Sequence, residues 1–407
     1  MGTRIRLLHI IRPSAGGMRA HLTSLVERLD SDRFEVIVAT PKDARIAACL
    51  EQRGAEYRQI SIPGDIAPHR DVAAGIALTR LVRAIQPDIC HVHGFKAAVL
   101  ARMAMSLPQS LLGRRLPGRA AGPPPGRPAV VYTVHNSVLT REGASFKGRA
   151  CVYLERALAH ATDRVIAVSR ALWQEYSSIP GLGPGKVRHI PNGVAFERFE
   201  CGSLSPGLAQ ESSRRVLGYG AGQVLLGTAS RLIPEKGIGV LLHAAAQLRR
   251  WGLAPEVLIA GDGPARRELE ALSVRLGVSD KVRFLGFIDD MVGFYHAIDV
   301  FVLPSLSEGM PVSLIEAMAA GIPVVAARTP GVEEAMAPGT GRLAPPADPI
   351  GLAVCIRDAI LRTGDSLHMA EQARRNVRRR LSIEGMVQAT EEVYSEALAK
   401  RSLARPT

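Results

Sequence analysis

Residues 4–11 form an apolar run without alternation, followed by a Pro/Gly turn and then by apolar positions at helical spacing: Met18, Leu22, Leu25, Val26 and Leu29. An unbroken short apolar run reads as a strand buried on both faces, and the 3.6-residue period after it as a helix laid against that strand. The unit recurs. Residues 34–40, 57–62 and 88–93 read as strands, with helices over 44–54 and 72–85, the second stopped by Pro87. Residues 129–134, 164–168 and 187–190 continue the series. A second series places strands at 224–229, 256–260, 282–285, 300–303 and 323–327, with helices between them. Strands alternating with helices at this pitch predict parallel sheets covered on both faces. The expected fold is therefore α/β, with two doubly wound domains. Sheets of this kind bind ligands beyond the carboxyl ends of their strands, so the expected site is a central cleft between the domains, built from strand-to-helix turns.

Two stretches interrupt the rhythm. Residues 106–128 hold six prolines, four glycines, four arginines and no acid. This reads as a solvated insertion, with a basic flap facing an acceptor or an anionic membrane as the alternative. Residues 201–222 are rich in Gly, Ser and Pro with little apolar pattern, and read as a linker. The domains then run over 1–200 and 223–385, with a last helix over 386–407. An arginine run over 373–380 lies on a helix and reads as a solvated face, with a phosphate- or membrane-facing patch as the alternative.

Composition narrows the classes. A chain of 407 residues, 47% hydrophobic and 22% charged, fits a globular enzyme of two or three domains. Only 4% of residues are aromatic, which argues against base-stacking platforms and so against nucleic-acid binding. The net charge of +13 favours anionic partners such as nucleotides or an anionic membrane surface. Cys49, Cys90, Cys151, Cys201 and Cys355 form no C-x-x-C pair, which fits a reducing cytoplasm and neither a disulfide framework nor a zinc site. The longest apolar runs are near ten residues, too short to span a bilayer. Peripheral attachment to the inner face of the plasma membrane is compatible with the charge.

The densest chemistry follows the apolar run 300–303. Glu308 lies at the mouth of a turn, Gly309, Met310, Pro311 and Val312 lead into a helix, and Glu316 falls about one and a half turns inside it. Pro311 suits the first helical position, and the free N–H groups around Gly309 form an anion site reinforced by the helix dipole. After the run 224–229 come Arg231 and Lys236, five residues apart in a turn, able to grip a diphosphate as a bidentate fork and a point charge. Gly16 and Gly17, after the first strand, allow close backbone approach to a ligand. His135 ends the strand 129–134. His91 and His93 share one strand face, but a metal site needs a third ligand that spacing does not supply. Ser169 lacks a G-x-S-x-G context, so nucleophilic hydrolysis has no support.

Taken together these segments resemble a family 4 (group 1) retaining glycosyltransferase of the GT-B type, with two Rossmann-like domains. The likeness covers nearly the whole chain. It rests on Gly16-Gly17, on residues 133–136 (TVHN), 166–169 (IAVS) and 190–194 (IPNGV), and on 230–237 (SRLIPEKG), 259–264 (IAGDGP) and 284–287 (FLGF). The two glutamates eight positions apart, Glu308 and Glu316, are similar to the family's E-x7-E motif. The resemblance implies that Arg231 and Lys236 hold the donor diphosphate, that the backbone of Gly309, Met310, Pro311 and Val312 meets the donor sugar and phosphate, and that Glu308 lies near the sugar ring. It implies that Glu316 binds the ribose, that backbone around Ile288 reads the base, that Gly16 and Gly17 approach the phosphates, and that His135 touches the donor sugar. The final helix, 386–401, would cross back to the first domain.

The implied activity is transfer of a hexosyl unit from a nucleotide-diphosphate sugar, UDP-linked first and GDP-mannose second. The acceptor would be a lipid-linked or cell-surface glycan, as in polysaccharide biosynthesis at the cell envelope. No cofactor and no metal are expected, because the two cations replace the metal that other transferases use. The sequence departs from the family at Thr329-Pro330-Gly331, where two glycines are common, and in the 106–128 insertion. Two alternatives stay open: an isomerase of the nucleotide-sugar 2-epimerase type, and a partner subunit that binds a sugar nucleotide without turnover.

Overall fold

In the computed structural model, residues 4–12, 16–64, 67–106, 127–137, 146–200 and 206–403 are described. Of the 106–128 insertion, 107–126 lie outside them, as do Cys201 and the rest of 201–205. The chain divides into two compact units: Met1–Pro191 together with Glu384–Thr407, and Asn192–Ile383.

The first unit is built on a seven-stranded parallel sheet: β1 (Ile5–Ile11), β2 (Phe34–Thr40), β3 (Glu56–Gln59), β4 (Ile89–His93), β5 (Ala129–Val134), β6 (Arg164–Ala167) and β7 (Val187–His189). Its strand order is β3-β2-β1-β4-β5-β6-β7. The chain therefore winds outward through β3, returns, and winds the other way from β4. The order reverses between β1 and β4, which pair with Leu7 opposite Ile89 and Ile11 opposite His93. β4 and β5 are buried at every position, which explains why their runs lack alternation. Carboxylates fix two strand entries: Asp88 Oδ2 accepts from the Arg6 amide at 2.8 Å and Asp163 Oδ2 from the Val130 amide at 2.8 Å. Beside the sheet, Arg102 and Glu155 form a fully buried bidentate pair at 2.7 and 2.9 Å. The guanidinium also donates to Ala98 O and Thr162 Oγ1, and lies over the Tyr132 ring.

The second unit holds a six-stranded parallel sheet: β8 (Leu225–Ala229), β9 (Glu256–Ala260), β10 (Val282–Gly286), β11 (Val300–Leu303), β12 (Val324–Ala327) and β13 (Arg342–Ala344). The order is β10-β9-β8-β11-β12-β13, so its reversal lies between β8 and β11. Leu226, Val257, Ile259, Val300, Val302 and Val325 project into one core with helices Ile238–Arg250 and Pro349–Leu361.

Three expectations need adjusting. Within the expected linker 201–222, Pro206–Leu217 is a helix of the second unit. Its apolar pattern is thin because polar bonds anchor it: Arg214 donates to Ala297 O at 2.9 Å and pairs with Asp299 at 2.6 Å. The arginine run lies on helix Thr363–Arg380, but Arg374 and Arg378 cover the Phe196 ring at 5.3 and 4.9 Å, so that face is not simply solvated. Pro311 sits one residue before the helix Val312–Ala319, as its extended cap, and not at the first helical position.

The last helix, Ile383–Leu403, packs in the first unit: Tyr394 is fully buried with its hydroxyl 2.6 Å from His91 Nδ1, and Glu396 accepts from Arg164. Among the described residues no helix is long and apolar enough to cross a membrane.

Candidate active site

In the second unit the turns after β8 and β11, at the sheet's reversal, are tied together twice. The Leu306 amide donates to Glu235 O at 2.8 Å, and Lys236 Nζ donates to Glu308 Oε1 at 2.7 Å. Residues 72 positions apart thus form an ion pair whose side chains are 18% and 6% exposed. Arg231, on the same turn, is solvent-exposed. Lys236 ends the short 3-10 turn Pro234–Lys236, which precedes the helix starting at Ile238. The geometry holds one cation beside a carboxylate and exposes a second on the same turn.

The segment after Glu308 is positioned by its backbone. Gly309 and Met310 are buried, and Met310 O accepts from the buried Asn192 amide at 2.8 Å. A Cβ at Gly331 would stand 1.9 Å from Gly309 O, so helix Pro330–Ala335 can seat itself against this loop only with glycine there. Pro311 O accepts from Ile315, and Val312 opens the helix, leaving its first amides available to an anion. Inside that helix Glu316 Oε2 accepts from Tyr295 Oη at 2.8 Å. Burial raises the Glu316 carboxyl above its ordinary range, opposed by the Tyr295 hydrogen bond and the Arg198 charge. Ile288 is half-buried, two residues past β10. Glu308, Lys236, Gly309, Met310, Pro311, Val312 and Glu316 are thus gathered around one sheet reversal.

Gly16, Gly17 and His135 belong to the first unit. Gly16 has φ +89°, a conformation glycine adopts freely, and caps helix Gly17–Arg28 by accepting from Arg19 and Ala20 amides. Pro13, Ser14 and Ala15 lie outside the described residues. His135, half-buried just past β5, is not a lone histidine. Its Nε2 lies 3.3 Å from His93 Nδ1, and its ring centroid 4.8 Å from that of His21. His93 Nε2 lies 3.1 Å from His9 Nδ1, and His91 Nε2 2.7 Å from Thr133 Oγ1. Burial, then the neighbouring imidazoles, lowers His91 and His93 well below the ordinary histidine value; burial, then His21, does the same to His135 and brings His9 to about 3.

Sequence reasoning passed over Asn192, Tyr295, Gly331, His9 and His21 as site residues. The available signals were a histidine inside an apolar strand run, as at His9, and a Pro-Gly pair opening the helix after a strand, as at Pro330-Gly331.

Two sheets of this topology, with a cation–carboxylate pair and a helix N-terminus at one reversal, define a class: two-domain enzymes that handle nucleotide diphosphates. The comparisons with known proteins make the class specific. Residues 15–198 match the model of Glycosyltransferase Family 4, and residues 223–362 that of Glycosyl transferases group 1. The chain belongs to the group 1, family 4 glycosyltransferases. It is 26% identical over 335 residues to the UDP-Gal:alpha-D-GlcNAc-diphosphoundecaprenol alpha-1,3-galactosyltransferase of Escherichia coli, covering 81% of each chain. It is 29% identical to a D-inositol 3-phosphate glycosyltransferase of Acidothermus cellulolyticus, over 96% of this chain and 88% of that one. The crystal structure of Anabaena HepE in complex with UDP and glucose shares the GT-B fold, at a TM-score of 0.77 and 23% identity over 96% of this chain and all of that one. The protein is a glycosyltransferase that uses nucleotide sugars.

Proposed function

We propose that the protein moves a hexosyl unit from a UDP-sugar to a lipid-linked or cell-surface glycan, with retention at the anomeric carbon. The observation that carries this reading is the Lys236–Glu308 pair beside the amides of Gly309 to Val312. Lys236 and Arg231 hold the diphosphate and offset the negative charge that builds on it as the glycosidic bond breaks. In this reading the acceptor hydroxyl attacks from the face the diphosphate leaves, and a phosphate oxygen takes its proton. Glu308 sets the sugar ring and Glu316 the ribose; Ile288 marks the base, and His135 touches the sugar. The two cations do the work of a divalent metal at the diphosphate, so donor binding needs none. The UDP donor and lipid-linked acceptor follow the Escherichia coli relative, and net charge +13 suits an anionic membrane surface.

Thermal unfolding in the presence of UDP, GDP and ADP sugars, with and without chelator, tests the reading. Donor at a hundred times its dissociation constant stabilises by about 2.7 kcal/mol. A midpoint rise with a UDP-sugar that survives chelator is expected. A response to no nucleotide, or one abolished by chelator, overturns the proposal.

A further inference from the structure

The first sheet reverses between β1 and β4, and that reversal is lined by imidazoles. His9 comes from β1, His91 and His93 from β4, His135 from the end of β5 and His21 from the helix after β1. His91 is held by Tyr394 and Thr133. The other four form a cluster that donor chemistry does not use, apart from His135. Spacing along β4 supplies two histidines on one face; the fold brings further ones to them. One nitrogen each of His21, His93 and His135 lies within 4.8 Å of the other two.

We infer that His21, His93 and His135 form a divalent transition-metal site, open on one side, at the switch point of the first sheet. Two imidazole nitrogens bound to one tetrahedral zinc at 2.0–2.1 Å stand about 3.3 Å apart, and His93 Nδ1 and His135 Nε2 are 3.3 Å apart. His21 closes the triangle edge-on, its ring centroid 4.8 Å from that of His135 and 5.7 Å from that of His93. A ligating histidine is oriented by the hydrogen bond at its other nitrogen. His93 has that partner: its Nε2 can donate to His9 Nδ1 at 3.1 Å, leaving Nδ1 unprotonated for the ion. Among the described residues His9 Nε2 is itself buried without a hydrogen-bond partner, which is unusual for a polar atom. Three imidazoles select Zn²⁺, Co²⁺, Ni²⁺ or Cu²⁺ over Mg²⁺ or Ca²⁺, and a three-ligand set leaves a coordination position for an oxygen ligand. The site uses first-unit residues alone and shares His135 with the donor reading.

The test is Co²⁺ titration of the full-length, untagged, metal-stripped protein, read by the visible absorption of the bound ion and by dialysis stoichiometry. One Co²⁺ per chain is expected, displaced by Zn²⁺. His21→Ala, at a buried position of its helix, should lose the absorption band while far-UV circular dichroism shows the fold kept, as should His93→Gln. His9→Gln should weaken binding about 10- to 100-fold through the lost orientation of His93. His160→Ala, at an exposed histidine, is the control and should change nothing. An absent band in the parent protein, or a band of unchanged affinity in His21→Ala, overturns the inference. UDP protection measured in chelator reports on the donor reading separately.

Discussion

The two sheet reversals share a topology and differ in chemistry. At β8/β11 two strand-end turns meet through formal charges, Lys236 against Glu308, partly open to solvent. At β1/β4 the same position in the same winding holds neutral imidazoles, kept uncharged by burial. The first unit does own a strong ion pair, Arg102–Glu155, but seals it beside the sheet and saturates it with Ala98, Thr162 and Tyr132. Among the described residues the Lys236 side chain has Glu308 as its one hydrogen-bond partner. An ammonium carries three donors, so it has capacity left for an incoming anion. Charge in one unit serves the fold; in the other it stays available to a ligand.

That contrast can be broken most sharply at Arg102. Replacing it by Met leaves Glu155 as an uncompensated buried carboxylate and should cost about 3–5 kcal/mol in urea unfolding, with activity per folded molecule kept. Replacing both partners, as Arg102→Met with Glu155→Leu, should recover most of the loss; failure to recover would mean that the pair does more than neutralise itself. Lys236→Ala should do the reverse. Transfer should fall about 100- to 1000-fold in steady-state assays, well beyond the loss of stability that leaving Glu308 unpaired causes. A normal rate would refute the part given to the lysine. Gly331→Ala comes next: its Cβ meets the Gly309 carbonyl, so the loop must shift, and both the unfolding midpoint and donor binding by calorimetry should fall.

The smallest effect is at Glu316. Its carboxyl is raised by burial, so the folded state favours the neutral form. That contribution is fully present below the unfolded value of 4.5 and is lost as pH rises through the folded one. Glu316→Gln should therefore stabilise the second unit at pH 7 by less than about 1 kcal/mol, and lose this advantage near pH 4. Nucleotide binding should weaken in the same variant, a trade between stability and function. A variant less stable at pH 7 than its parent would reverse the assigned sign.

Much of the fold was legible because parallel strands buried on both faces leave continuous apolar runs. Residues 34–40, 129–134, 256–260 and 300–303 are strands at the expected bounds. β13 was missed because Arg342–Ala344 is three residues long and opens on a charge. Helix Pro206–Leu217 was missed because Arg214, not an apolar stripe, fastens it. At the site, the residue types and turns of Lys236 and Glu308 could be read, but their contact could not, since it depends on β8 and β11 being neighbours. The histidine cluster was hidden for a related reason. His9 sits in an apolar run and His21 between the apolar positions of a helix, so only the winding of the sheet shows that they converge with His93.

The placement of helix Ile383–Leu403 bears on the order in which the protein is made. The strands of the first unit are made before the second unit, yet the Tyr394 hydroxyl that bonds His91 leaves the ribosome only after the whole of Asn192–Ile383. At 5–20 residues per second that interval is about 10 to 40 seconds. Throughout it β4 waits with His91 short of one partner, while the second unit has every residue it needs to close. The half of the molecule that starts first is therefore the half that finishes last, and a nascent chain stalled before Glu384 would carry a complete second unit beside an unfinished first one.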